Sequence, residues 1–352
     1  MFYCEDCVDE IVEKCNEYLK HPSVVGHETS FLNYLAEDYE ALDVDIVRGK
    51  KILQVSGKSP QSLMLSVHID RHGLISVGDG DYRYAGFVIK NTKYNADIGA
   101  SEKLLNDIKN AYLHQKVYAY NRYTGEMRGE GIIEACERIE GFHGPNLVFR
   151  IPEMEEMPFG TPIAYKHDNV IEDDYISGQI DNTLCVALIY GLFKNGFEGT
   201  CFFTAEEEIG KSWKHFIRHI YAHDIKIENF VVLDSSPYPE LAKDANYVTL
   251  RNRDQTGAFD PDQTEELRLI CKDLAIPYDF KDKTLEAQGA TYVGQTELGH
   301  ILRENNGFFS GTTLQVPTHN YHTNKEATTH QCLHNVFRVI MALSNKKKAL
   351  SS

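Results

Sequence analysis

"DNTLCVALIYGLFKNG" (181–196) is followed, after a short break, by "TCFFTAEEE" (200–208). The first stretch has the length and near-continuous apolar content of a buried helix, with Asp181 immediately before it in an N-cap position. The second is a short apolar run, the signature of a buried strand, and it ends in Glu206, Glu207 and Glu208. A helix feeding a buried strand is the repeating unit of an α/β sheet. Acids just past such a strand fall where an open parallel sheet keeps its ligand crevice.

The same rhythm extends outward. Downstream come "SWKHFIRHIYAHD" (212–224), "NFVVLDSS" (229–236), "TEELRLICKDLA" (264–275), "TTLQVPT" (312–318) and a final helical run, "KEATTHQCLHNVFRVIMALS" (325–344). Upstream, "VDEIVEKCNEYLKH" (8–21) and "ETSFLNYLAEDYEAL" (28–42) have helical spacing and precede the β-type runs "DVDIVR" (43–48), "KILQVS" (51–56) and "SLMLSVHID" (62–70). Between about 74 and 164 the pattern changes to short alternating runs broken by glycine, with one helix near 101–112. These features predict a three-layer α/β/α sandwich on a mostly parallel sheet. One discontinuous domain is expected from 1–73 and 165–352, with a small β-rich, barrel-like domain inserted at 74–164.

At 352 residues and 42% hydrophobic the chain is long enough for a large core and a smaller second one. A formal charge of −16 argues against a nucleic-acid partner, since phosphate binding needs clustered Lys and Arg. The only basic run is Lys346, Lys347 and Lys348. No stretch approaches the roughly 20 apolar residues that span a bilayer, and the acidic opening "MFYCEDCVDEI" is unlike a signal peptide. A soluble cytoplasmic protein with no membrane partner is expected. Eight scattered cysteines read as reduced thiols, and the lone Cys4-x-x-Cys7 lacks a second ligand pair. "SGKS" (56–59) lacks the earlier glycine of a phosphate loop, where Ile52 stands.

Polar residues able to bind a metal sit just past several of the predicted strands. They are His68 and Asp70, the glutamates at 206–208, Asp234, and His319 and His322; Asp181 precedes its helix. Singly, each has a plainer account: a core histidine, a strand-end turn former, a charged first helical turn, an N-cap. Together they make an oxygen-and-nitrogen ligand set at one edge of a sheet. Three carboxylates with two neutral histidines would be unstable if empty, because like charges raise each other's pKa. Two divalent cations would neutralise them and leave charge for one bridging hydroxide, a nucleophile at neutral pH. A neighbouring carboxylate that is not a ligand can then take and return a proton. Consecutive glutamates can point in different directions and so divide these two roles.

The order H-x-D, G-x-x-D before a helix, E-E-I-G after a strand, a strand-end D and V-P-T-x-x-x-H resembles the tetrahedral-assembly aminopeptidase family. That family includes glutamyl and deblocking aminopeptidases and lies within the co-catalytic zinc exopeptidase superfamily. "PSVVGHETSF" (22–31) also looks like the family's opening, so the resemblance covers nearly the whole chain. The gap from His68 to Asp181 (181 − 68 = 113 positions) matches a family that inserts its β-rich domain there.

The resemblance implies that His68, Asp181 and Asp234 hold one metal and Asp181, Glu208 and His322 the other, with Asp181 bridging. It makes Glu207 the general base and Asp70 the acceptor that fixes the His68 ring, leaving Glu206 as a bystander or rim residue. Glu297 is a candidate for holding the substrate's ammonium. The implied cofactors are two divalent ions, zinc first, with cobalt or manganese as alternatives. The implied activity is removal of N-terminal residues from short peptides, in a homo-oligomer from dimer up to dodecamer. The same site could instead serve N-acyl amino acids, or a silent metal-binding scaffold. The sequence departs from the family beside the ligands, at Arg71 and His72, at Asn182 and Thr183, and at Gln295-Thr296-Glu297.

Overall fold

The computed structural model describes residues 6–86, 102–141, 144–167, 171–172 and 175–351. Its main sheet has eight strands in the order Asp45–Arg48, Ile52–Ser56, Thr200–Thr204, Met64–His68, Phe230–Pro237, Thr312–Thr318, Val248–Leu250, Tyr278–Phe280. The four central strands, Thr200–Thr204 through Thr312–Thr318, are mutually parallel. Antiparallel pairings join the flanking strands Ile52–Ser56 and Val248–Leu250 to this centre.

Alternation along these strands feeds two cores, one on each face. Leu65, Val67, Cys201, Phe203, Val231 and Leu233 pack under the helices Asp6–Leu19, Thr29–Tyr39, Thr183–Lys194, Pro261–Asp273 and His330–Ser351. Met64, Phe202, Phe230 and Val232 face Phe216 and Ile220 of helix Ser212–Ala222, and Leu298 and Ile301 of helix Glu297–Glu304. The sheet is therefore covered on both sides, and its inner strands are buried along nearly their whole length. Helix Thr183–Lys194 is buried almost throughout and lies close against Asp6–Leu19: a Cβ on Gly191 would meet Ile11 Cγ1 at 2.5 Å.

A second sheet of seven strands is antiparallel throughout, in the order Met127–Ile132, Lys116–Tyr120, Pro162–Tyr165, Gly73–Gly78, Asp81–Ala85, Gly144–Arg150, Ala135–Gly141. Among the described residues its pairing is an open series rather than a closed ring. Leu74, Tyr82, Val117, Phe149 and Tyr165 form its own core, against helix Glu102–Tyr112.

The run at 325–344, expected to be one helix, divides into a strand, Glu326–Thr329, and a helix, His330–Ser351. That strand pairs with Tyr175–Gly178 in a third, small sheet, bringing the chain before Asp181 alongside the chain after His322. The threonines in "EATT" favour the strand, and tertiary pairing decides a stretch this short. Among the described residues no disulfide forms, and Cys4 of the C-x-x-C lies outside them. No described helix is long and apolar enough to cross a membrane.

Candidate active site

At the carboxyl end of Thr200–Thr204 the chain turns sharply. Ala205 donates its amide to the Lys51 carbonyl, and Glu206 then takes a left-handed conformation, φ 68°. For a non-glycine residue this costs about 1–2 kcal/mol, so the surroundings must hold it. The Glu206 carboxylate lies 3.2 Å from Lys51 Nζ and 3.0 Å from His215 Nε2. Hydrogen bonding to His215, helped by the charge of Lys51, pulls its proton affinity down to about 2. Asp70 completes the clamp, its two oxygens accepting the amides of Glu207 and Glu208 at 2.9 Å each. The three adjacent acids thus diverge: Glu206 fastens the turn, while Glu207 and Glu208 line a cavity.

Five predicted ligands converge beside this turn. His68 Nε2 lies 3.3 Å from Asp181 Oδ1 and 3.5 Å from Asp234 Oδ1. His322 Nε2 lies 3.8 Å from both Asp181 Oδ2 and Glu208 Oε2. Asp181 therefore turns one oxygen to each group. His68, Asp181 and Asp234 have ligand atoms spaced to hold a metal ion, and so do His72, Glu208 and His322.

The donor chemistry fits divalent cations. Asp181 Oδ1 is buried without a well-formed hydrogen bond, although His68 Nε2 is nearby, as expected of a carboxylate oxygen reserved for an ion. Burial and then the charge of Asp181 push Glu208 well above the usual carboxylate range. Burial does the same to Glu207, reinforced by the negative charges of Glu208, Asp234 and Asp70 against the opposing pull of His68. Burial drives His322 well below the usual imidazole range, which keeps it a neutral donor. Added positive charge is what would let these carboxylates ionise together.

Glu326 was not legible as part of the site. It is 1% exposed, and its carboxylate accepts the amides of Asp181 at 2.8 Å and of His322 at 2.6 Å. It does for these two residues what Asp70 does for Glu207 and Glu208. Its only sequence signal is an acid inside an otherwise uncharged buried strand. Asn182, one of the departures, donates to the Leu233 carbonyl at 2.9 Å and ties the Asp181 loop to the strand that carries Asp234.

Asp70 and Glu297 stand differently from expectation. Asp70 gives its carboxylate to the two glutamate amides; the near acceptor of His68 Nδ1 is the Asp70 carbonyl at 3.2 Å, with the carboxylate at 3.8 Å. Glu297 is 1% exposed and accepts hydrogen bonds from Ser66 Oγ and Thr204 Oγ1, and it is not among the residues that line the cavity. His319 exchanges backbone hydrogen bonds with Ala327 and packs its ring edge-on to Tyr175. Arg71 is buried, bonding Ser23 Oγ and the carbonyls of Leu19 and His21, so it fastens the N-terminal helix.

The cavity measures about 970 Å³. Glu207, Glu208, Asp234 and His322 line it together with Arg251 and Arg303.

A family model described as M42 glutamyl aminopeptidase matches residues 152–339. Among solved structures, aminopeptidase APDkam598 from the archaeon Desulfurococcus kamchatkensis has a TM-score of 0.72 at 16% identity, over 95% of this chain and 94% of that one. The TET1 peptidase of Pyrococcus horikoshii, described as able to assemble into a tetrahedron or a large octahedral shell, has a TM-score of 0.66 at 19% identity, over 95% and 99%. A TET aminopeptidase from a marine-sediment thaumarchaeon has a TM-score of 0.70 at 16% identity, over 95% and 96%. At these identities the structures establish the fold. No curated protein matches the chain. The family model spans more than half of the 352 residues, so the chain belongs to the M42 glutamyl aminopeptidase family and is an aminopeptidase.

Proposed function

We propose that the chain uses two divalent cations to remove N-terminal residues from short peptides. The observation that carries this reading is the posture of Asp181, one oxygen toward His68 and Asp234, the other toward His322 and Glu208. His68, Asp181 and Asp234 would hold the first ion, and Asp181, Glu208 and His322 the second. Zinc suits these donors, as do cobalt and manganese. Such ions supply Lewis acidity toward a carbonyl and make water acidic enough to act as a nucleophile near neutral pH.

The protein's own part is positional. Glu207 lines the cavity, and its turn is fixed by Asp70. A carboxylate beside the ligand groups but not itself in either of them is suited to take a proton from the attacking water and hand it to the leaving amine. Asp70 and Glu326 act as positioning residues. Residues 74–164 form an inserted domain on a metallopeptidase body of 1–73 and 165–352, and self-association, from dimer to dodecamer, accords with the assemblies described for the related structures. A cytoplasmic setting accords with cysteines left as thiols.

The test is Glu207→Gln, assayed on an aminoacyl substrate with a free amine. Turnover is expected to fall by about 10²–10⁴-fold with metal content unchanged. Activity surviving that change would remove Glu207 from the role of base. Running the N-acetylated peptide alongside separates an aminopeptidase, which rejects it, from an amidohydrolase.

A further inference from the structure

His72, a departure from the family pattern, is 4% exposed, and its Nε2 is hydrogen-bonded to Glu208 Oε2. Its ring centroid is 4.1 Å from that of His322. The other ring nitrogen, Nδ1, is hydrogen-bonded to the hydroxyl of Tyr84, on strand Asp81–Ala85 of the second sheet. The Gln179 side chain donates to the His72 carbonyl at 2.8 Å. The backbone is pinned on its other side, where a Cβ on Gly73 would meet Val24 Cγ2 at 2.5 Å and the Ile163 carbonyl at 2.7 Å. An imidazole held on three sides, with one nitrogen on a proposed ligand and the other on a hydroxyl, has the arrangement of a metal-binding histidine with its orienting partner.

We propose that His72 is a fourth protein ligand of the cation shared by Asp181, Glu208 and His322, oriented by Tyr84. This rests on the two-cation reading above. The Tyr84 hydroxyl can donate to His72 Nδ1 or accept from it, so it suits either tautomer of the ring. With an ion held there, Nε2 would offer it a lone pair and Nδ1–H would donate to the Tyr84 oxygen. The Asp181, Glu208 and His322 site would then offer four protein donors, against three in the His68, Asp181 and Asp234 site. The second site would thus be held by more protein donors than the first. Through Tyr84 the second sheet also reaches directly into the metal site.

The test titrates Co²⁺ into metal-stripped full-length chain, reading visible absorption and chelator competition. Wild type is expected to bind two equivalents. His72→Gln should keep the first equivalent and bind the second on the order of 10–100-fold more weakly, with a changed visible band. Tyr84→Phe should weaken the same equivalent by a smaller factor. If both variants match wild type in second-equivalent affinity and spectrum, His72 is not a ligand and the two-cation reading stands. If wild type binds fewer than two equivalents, the two-cation reading fails and this inference with it. Should His72→Gln not fold, Tyr84→Phe decides alone: a weakened second equivalent supports the proposal, and an unchanged one overturns it.

Discussion

Asp70 Oδ1 accepts the backbone amide of Glu207 at 2.9 Å, and its second oxygen takes the next amide along. A buried carboxylate between two donors cannot be copied by an amide. Asp70→Asn sets one N–H against another and leaves a buried donor unpaired, costing about 1–3 kcal/mol of stability. Because the turn that aims Glu207 loosens, kcat is expected to fall by about 10–100-fold with KM little changed. Steady-state kinetics with a denaturation curve checks this, and a variant with wild-type kcat would show that the clamp does not govern the base.

Glu326 makes the equivalent pair of bonds to Asp181 and His322. Glu326→Gln preserves shape but can accept only one of the two amides without opposing donors. Looser metal retention is expected, by about 10–100-fold in chelator competition, from a residue that is not itself a proposed ligand. Unchanged retention would reduce Glu326 to a packing residue.

Away from the site, His219 is 6% exposed, its Nε2 2.8 Å from Gln54 Oε1. Burial, with the neighbouring His223, lowers its proton affinity from the ordinary 6.5 to about 4. The unfolded chain therefore binds this proton before the folded one does, and the associated stability, complete above pH 6.5, is lost as pH falls toward 4. His219→Gln should flatten the stability profile across that window in urea unfolding at fixed salt. An unaltered slope would mean that His219 does not contribute to it.

The central parallel strands were legible because burial on both faces writes them as short, uninterrupted apolar runs, such as "CFFT" and "FVVL". The metal-ligand candidates were legible because polar residues at the ends of those runs stand out. Glu326 and His72 were not, since each acts through contacts across more than 130 positions of sequence, Glu326 with Asp181 and His72 with Glu208. The role of Asp70 is hidden for a related reason: spacing brings it near His68, but which group its carboxylate accepts depends on the left-handed turn at Glu206. Short strands such as Val248–Leu250 and Tyr278–Phe280 carry too few residues for periodicity and are fixed by pairing.

The most direct measurement is elemental metal content per chain in wild type and in Asp181→Asn after reconstitution with zinc. Because Asp181 serves both ligand groups, two equivalents are expected in wild type and weakened binding of both in the variant. A single equivalent in wild type, or two tightly held equivalents that survive Asp181→Asn, would contradict a pair of cations joined through that one carboxylate.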